Sequence, residues 1–315
     1  MKKSLRTMIS IILMICLAAA LFVGCGSDDD DDDDRKSDSK KNTTTADDSD
    51  NKEPTKAPEK ASYTIADYVL VDNETCKVTI VKAEEDDFWG FKVKLLCENK
   101  TPETSLMFSA DDVSVNGYMI EPYWAVTVAA GKKANGEMTF DTDYFEQAGI
   151  TMADEIKFTL KVYDSEEWGS DYFVKEQYAI YPTGKSADTV QYPARKTTDK
   201  EQVVIDNNDV CFIILSADKD DFWGYGLECY VENKTNATLM YTWDDVSVNG
   251  FMIDPIWSKS LGPGMKCYTK ITFFDSDFEE NGITTVEEIG YTMRIYNYDD
   301  WTAEDAFKET LSYKP

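Results

Sequence analysis

Apolar and polar residues alternate with the period of a β-strand through most of this chain. In the stretch from Phe91 to Glu98, residues Phe91, Val93, Leu95 and Cys97 fall on one face. Tyr225, Leu227, Cys229 and Val231 do the same further along. Cys76-Lys77-Val78-Thr79-Ile80 alternates, as does Lys157 to Tyr163, which Tyr291 to Tyr296 matches. Alternation of this length predicts half-buried strands, because successive strand residues point to opposite faces. Asn116-Gly117 and Asn249-Gly250 lie between short apolar runs and predict two-residue hairpin turns.

The pattern occurs twice. Asp86-Asp87-Phe88-Trp89-Gly90 recurs as Asp220-Asp221-Phe222-Trp223-Gly224, and Glu98-Asn99-Lys100-Thr101 recurs as Glu232 to Thr235. Asp111 to Gly117 recurs unchanged as Asp244 to Gly250. Trp124 and Trp168 have counterparts in Trp257 and Trp301, whereas Trp243 has none. A repeat of this length is a duplicated domain, long enough to hold its own core. The expected organisation is one repeat over 62–182, a linker over 183–199 and a second repeat over 200–315. About seven short strands per unit predict an all-β fold, two tandem immunoglobulin-like β-sandwich domains, with an open barrel as the other architecture the spacing allows.

The first 61 residues follow other rules. Lys2, Lys3 and Arg6 precede an apolar run from Ile11 to Gly24, which fits a signal peptide over 1–24 and is short for a membrane span. It ends in Leu21-Phe22-Val23-Gly24-Cys25, which resembles a bacterial lipobox, with Phe22 where leucine is usual. Cys25 is then the lipidation site. Residues 25–61 include seven consecutive aspartates, Asp28 to Asp34, and almost no large apolar side chain. Such a segment predicts a disordered acidic linker, since it buries too little surface to offset its ordering entropy. Membrane attachment through Cys25, on the extracellular face of a Gram-positive-type envelope, is the expected location.

Charge and composition narrow the chemistry. There are 60 acidic against 32 basic residues, a formal net charge of −28. That excludes a nucleic-acid footprint, which needs a basic surface. The chain has no histidine, which removes Ser-His-Asp and Cys-His catalysis and any His-bearing zinc site. No cofactor motif and no catalytic constellation is present, so the expectation is a binding, adhesion or scaffold protein and not an enzyme, with an unknown protein or glycan as ligand.

Four groups of residues are candidates for contact or cross-linking. Trp89 and Trp223, beside Asp86, Asp87, Asp220 and Asp221, sit in expected hairpins and could stack on a sugar or anchor a protein interface. Asp141 with Asp143, and Asp275 with Asp277, form Asp-x-Asp pairs that could serve a calcium-dependent structural module. The alternative reading is a capping box, from Asp143 to Glu146 and Asp277 to Glu280, closed by Gly149 and Gly282. A carboxylate-based hydrolase would need two such groups across a cleft. Cys76 with Cys97, and Cys211 with Cys229, flank the two Trp turns on strands expected to be neighbours, both on the apolar face. They could be cross-strand disulfides or buried free thiols.

The lipobox and acidic linker precede units with an Asn-Lys-Thr strand end, an Asp-Asp-Val-Ser-Val-Asn-Gly hairpin, Gly131-Lys132, and a Lys161-Val162-Tyr163-Asp164 strand. This combination resembles the telokin-like, immunoglobulin-like domains of unknown function found in lipoproteins of Gram-positive bacteria. The resemblance spans both repeats and implies a cell-surface β-sandwich with no established activity. It carries over one functional residue, Cys25.

Overall fold

The computed structural model describes residues 62–86, 90–167, 171–220, 224–300 and 302–315. The expected signal peptide, Cys25 and the acidic linker lie outside the described residues. Among the described residues, no helix is long and apolar enough to cross a membrane.

The first repeat contains β1 (Ala66–Asp72), β2 (Cys76–Asp86), β3 (Gly90–Asn99), β4 (Leu106–Val115), β5 (Tyr118–Met119), β6 (Ala125–Val128), β7 (Lys133–Phe140), the short helix α1 (Thr142–Ala148), β8 (Ile156–Asp164) and β9 (Val174–Ile180). The second contains β10 (Gln202–Asp206), β11 (Val210–Asp220), β12 (Gly224–Asn233), β13 (Leu239–Val248), β14 (Phe251–Met252), β15 (Ser258–Leu261), β16 (Lys266–Phe273), α2 (Asp275–Glu280), β17 (Ile289–Asn297) and β18 (Phe307–Tyr313). In each repeat one sheet has the order β1-β2-β3-β7, or β10-β11-β12-β16. The facing sheet is β4-β8-β9 with β5 and β6, or β13-β17-β18 with β14 and β15. The result is an all-β, immunoglobulin-like sandwich, made twice.

The alternating residues fill the sandwiches as their period requires. Val78, Ile80, Val93, Leu95, Phe108 and Leu160 are buried in the first core, and Phe212, Leu227, Val231, Tyr241 and Ile295 in the second. Repeated motifs hold the loops. Asn99 is buried; its amide donates to Thr104 O and Val128 O, and its Oδ1 accepts from the Thr101 amide and hydroxyl. Asn233 repeats the arrangement, donating to the carbonyls of Ala237, Leu261 and Gly262. Lys100 and Lys234 reach back to Asp72 and Asp206. The Asn-Lys-Thr motif is therefore a loop staple: its buried Asn amide ties together carbonyls from two loops and has its own polar atoms satisfied in return.

The Asp-Asp-Val-Ser-Val-Asn-Gly motif builds a rigid hairpin. A β-bulge falls between Asp111 and Ser114, and again between Asp244 and Ser247. Asn116 and Gly117 have φ 48° and 80°, and Asn249 and Gly250 have φ 50° and 86°. Positive φ at both central residues is what a tight hairpin turn matched to strand twist needs, and Asn-Gly tolerates it. Each Asn then clamps the loop before β8 or β17. Asn116 Oδ1 accepts from the amides of Asp154 and Glu155, and Asn249 Oδ1 from those of Glu287 and Glu288.

The two sandwiches meet at the first of these hairpins. Tyr118 pairs in parallel with Lys266, so β5 and β16 join sheets from both repeats into one. The Tyr118 ring stacks on Tyr268 at 5.9 Å and 3°, and Lys266 Nζ lies 4.4 Å from its centroid. Met119 packs into the second core, while Cys211, Ile213 and Tyr230 pack with the first. Residues 183–199 are tied down along this joint. Tyr118 and Lys266 both donate to Pro193 O, Lys185 pairs with Asp154 at 2.7 Å, and Arg195 pairs with Glu201 at 2.7 Å. A Cβ on Gly117 would come within 2.7 Å of the Tyr192 ring.

Candidate functional site

An open groove of about 1230 Å³ runs beside the joint. Strand β5 and the segment after it supply Met119, Glu121, Pro122 and Tyr123. Helix α1 supplies Tyr144, Glu146 and Gln147, with Asp141 just before it, while Glu228, Lys259, Tyr268 and Lys270 come from the second repeat. Tyr123 is 79% exposed and Tyr144 50%, so two aromatic rings are open to solvent along the groove. Lys259 pairs with Glu121 and Lys270 with Glu228, each at 3.7 Å. Gln147 also donates to Glu228 across the groove. The lining holds more carboxylates than lysines, Asp141, Asp143 and Glu146 among them. Burial, together with Tyr123 and Asp141 nearby, pushes the Tyr144 hydroxyl pKa up, so it remains a hydrogen-bond donor at neutral pH.

Of the residues the sequence singles out, this groove collects Asp141 and Asp143. Asp141 is the N-cap of α1, and its Oδ1 accepts from the Asp143 amide at 3.0 Å. The cap thus lies two residues earlier than a capping box starting at Asp143 would place it. Gly149 closes the helix at φ 69°, as expected. In the second repeat Phe274 occupies the cap position without a side-chain bond, so the capping box expected at Asp277 is not formed there. Asp275 instead lies 3.7 Å from Lys219. Among the described residues, no group of three carboxylates or thiols is placed to hold a metal ion.

Trp89, Trp223, Asp87 and Asp221 lie outside the described residues, as do the side chains of Asp86 and Asp220. Asp86 ends β2 opposite Gly90, and Asp220 ends β11 opposite Gly224. Gly90 and Gly224 abut the carbonyls of Phe140 and Phe273, just before α1 and α2. The Asp-Asp strand ends and the Asp-x-Asp segments therefore share one end of each sandwich. The remaining described tryptophans are structural. Trp243 stacks on Tyr291 at 3.7 Å and packs with Trp257 and Phe212, and Trp257 donates to Thr269. Trp124 lies over Gly136, where a Cβ would come within 2.5 Å of its indole nitrogen.

For the second cysteine pair the structure corrects the expectation that both side chains share the apolar face. All five described thiols are free and buried. Cys76 lies opposite Asn99, and Cys97 opposite Val78, so these two are diagonal neighbours on one face. Cys211 and Cys229 lie on opposite faces of their sheet. Cys211 is opposite Glu232 and packs toward the joint, whereas Cys229 is opposite Ile214 inside the second core. No bridge can span them, because adjacent strand positions point to opposite sides of a sheet. Ladder positions equate Cys76 with Val210 and Cys97 with Val231, so the two cysteine pairs are not equivalent by duplication. Burial pushes the Cys97 and Cys211 thiols up to about 12, which keeps them protonated and unreactive at neutral pH.

No protein-family model and no curated protein matches the chain. Among solved structures, the Salmonella enterica SafA pilin in complex with the SafB chaperone aligns at 10% identity and TM-score 0.21, covering 78% of this chain and 98% of that one. A protein of unknown function from Porphyromonas gingivalis aligns at 11% identity and TM-score 0.19, covering 78% and 99%. Likenesses of this degree carry nothing about function.

Proposed function

We propose that this chain is a lipid-anchored, extracellular binding protein that takes a basic polypeptide segment into the groove between its two modules, without turning it over. The signal-peptide pattern, Cys25 and the acidic tether support display on the outer face of a Gram-positive-type membrane. The resemblance to telokin-like lipoprotein domains supports the same placement. The observation that carries the binding reading is the groove, with exposed Tyr123 and Tyr144 among carboxylates that outnumber lysines. Aromatic side chains supply contact area at low entropic cost, and the surplus negative charge selects and steers a cationic segment.

Two measurements test this. Cys25→Ser should release the protein into the medium, and retention in the membrane fraction would remove the anchor. Titration of the 25–315 chain with oligolysine at low salt should show binding that weakens as salt rises, through screening. Tyr123→Ala with Glu146→Gln should weaken it by about tenfold or more, as loss of a central anchor does. Binding of an N-acetylglucosamine oligosaccharide with no binding of oligolysine would overturn the ligand class.

A further inference from the structure

The Asp-Asp-Val-Ser-Val-Asn-Gly hairpin occurs twice, and only one copy is covered. In the first repeat Tyr118 is 1% exposed and Met119 7%, because β5 adds to the β16 edge of the second repeat, with the Tyr118 ring against its outer face and Met119 in its core. Their counterparts Phe251 and Met252 are 46% and 66% exposed. The two hairpins are otherwise built alike. Val115 pairs with Tyr118 and Ser114 with Met119, and Val248 pairs with Phe251 and Ser247 with Met252. Both carry the bulge, the Asn-Gly turn and the Asn clamp. The second hairpin is thus held in the docked shape, and among the described residues its edge strand β14 pairs with β13 alone. Rigid presentation of an apolar edge lowers the entropic cost of association.

We infer that the Phe251-Met252 hairpin adds to the sheet edge of an immunoglobulin-like module in a different protein, its ring against the outer face beside that edge, in the manner that Tyr118-Met119 docks within this chain. The covered copy specifies the partner's chemistry. The receiving face in the second repeat is Cys211, Ile213, Tyr230 and Tyr268, with Lys266 over the inserted ring and Lys259 near Glu121. Asp254 stands before Pro255 as Glu121 stands before Pro122, and it is exposed. The partner face is therefore apolar and aromatic with a lysine rim. A second copy of this chain does not offer one. The ladder places Lys77, Thr79, Leu96 and Asn135 where Cys211, Ile213, Tyr230 and Tyr268 stand in the second repeat. That face is crossed by ion pairs, Lys94 with Glu84 at 2.6 Å and Lys133 with Glu98 at 2.7 Å. The matching face of a copy's second repeat is already filled by its own first hairpin. The partner is of another sequence, and this surface is separate from the groove.

The chain itself supplies the probe. In a Tyr118→Ala, Met119→Ala variant of the 25–315 chain, the receiving face of the second repeat is vacated and becomes available to the free hairpin of another molecule. This variant should show a concentration-dependent doubling of its light-scattering mass, while the unsubstituted chain stays monomeric. Adding Phe251→Ala and Met252→Ala should abolish the association. If the double substitution unfolds the first repeat, as far-UV circular dichroism would show, Gly117→Ala serves in its place, since it opens the joint by collision with Tyr192 and deletes no apolar side chain. Association that persists without Phe251 and Met252 overturns the inference. So does a monomeric variant whose 183–199 segment has become protease-sensitive, because the face is then free and the hairpin does not take it. Self-association of the unsubstituted chain that is lost with Phe251→Ala would make the occupant a second copy.

Discussion

Replacing Tyr118 by Ala isolates the coupling between the repeats. Truncating a large buried aromatic costs about 3–5 kcal/mol. At this position the contacts that account for it lie largely across the joint. The stack on Tyr268 contributes about 1 kcal/mol, the Lys266 ammonium over the ring ~0.5–1 kcal/mol and the hydroxyl bond to Pro193 ~1 kcal/mol. Roughly 3 kcal/mol of docking free energy is lost, on the order of 100-fold in the ratio of docked to undocked joint. Lys185, Arg195 and Lys196 lie in the tied segment, so trypsin cleavage there reads the undocked population directly. The expected result is cleavage faster by about two orders of magnitude. Phe251→Ala, at the exposed equivalent, should change stability by less than about 0.5 kcal/mol. A rise of less than roughly threefold in cleavage, with a lowered thermal midpoint for the first sandwich, would show that Tyr118 stabilises its own repeat and does not fasten the two together.

Asn233→Ala removes one donor from each of three carbonyls, two of which keep a second from Thr235 Oγ1 or Met265 N, and takes away the acceptor of the Thr235 amide; it should destabilise the second sandwich by about 2 kcal/mol, lowering its transition in a calorimetric scan by on the order of 8 °C, and a shift below roughly 3 °C would refute the staple. The Arg195 guanidinium beside Glu201 holds its carboxyl below the usual carboxylate range, so the pair's contribution is complete above the ordinary value and is lost as pH falls through the lowered one. Trypsin-independent cleavage of 183–199, by an acid-active protease, should therefore accelerate as pH falls below the ordinary carboxylate range in the unsubstituted chain, and less steeply in Glu201→Gln; equal acid dependence in both would remove the pair from the clamp.

The strands, the hairpins and the duplication are legible in the sequence because each depends on neighbours a few residues apart. Period-2 alternation marks Val93 and Leu95 as inward, and Asn-Gly marks the turns. Parity is where that reading breaks down. Cys211 sits one place from the position equivalent to Cys76, and one place reverses the face of a strand residue. The groove is illegible for a different reason. Tyr123, Tyr144, Tyr268 and Lys259 converge only because β5 seats on β16, a contact between residues nearly 150 positions apart whose partners follow no local pattern. Asp141 and Asp143 were visible as a motif, yet the residues giving the groove its aromatic character were not. Identical hairpin sequences also concealed their unequal surroundings, since the difference lies in Ile213, Tyr230 and Tyr268 on the receiving sheet.

The covered hairpin also orders events as the chain emerges. The first repeat is synthesised before the second, and its own outer sheet is polar and ion-paired. The second repeat, made later, exposes Cys211, Ile213, Tyr230 and Tyr268 until Tyr118 settles on them. A newly made sandwich with a bare apolar face is an aggregation hazard, and here its guard is already folded and tethered a short distance upstream. The duplication is therefore directional. The first module leaves only the Tyr118-Met119 tip bare until the second arrives, whereas the second has its escort built into the preceding stretch of the same polypeptide.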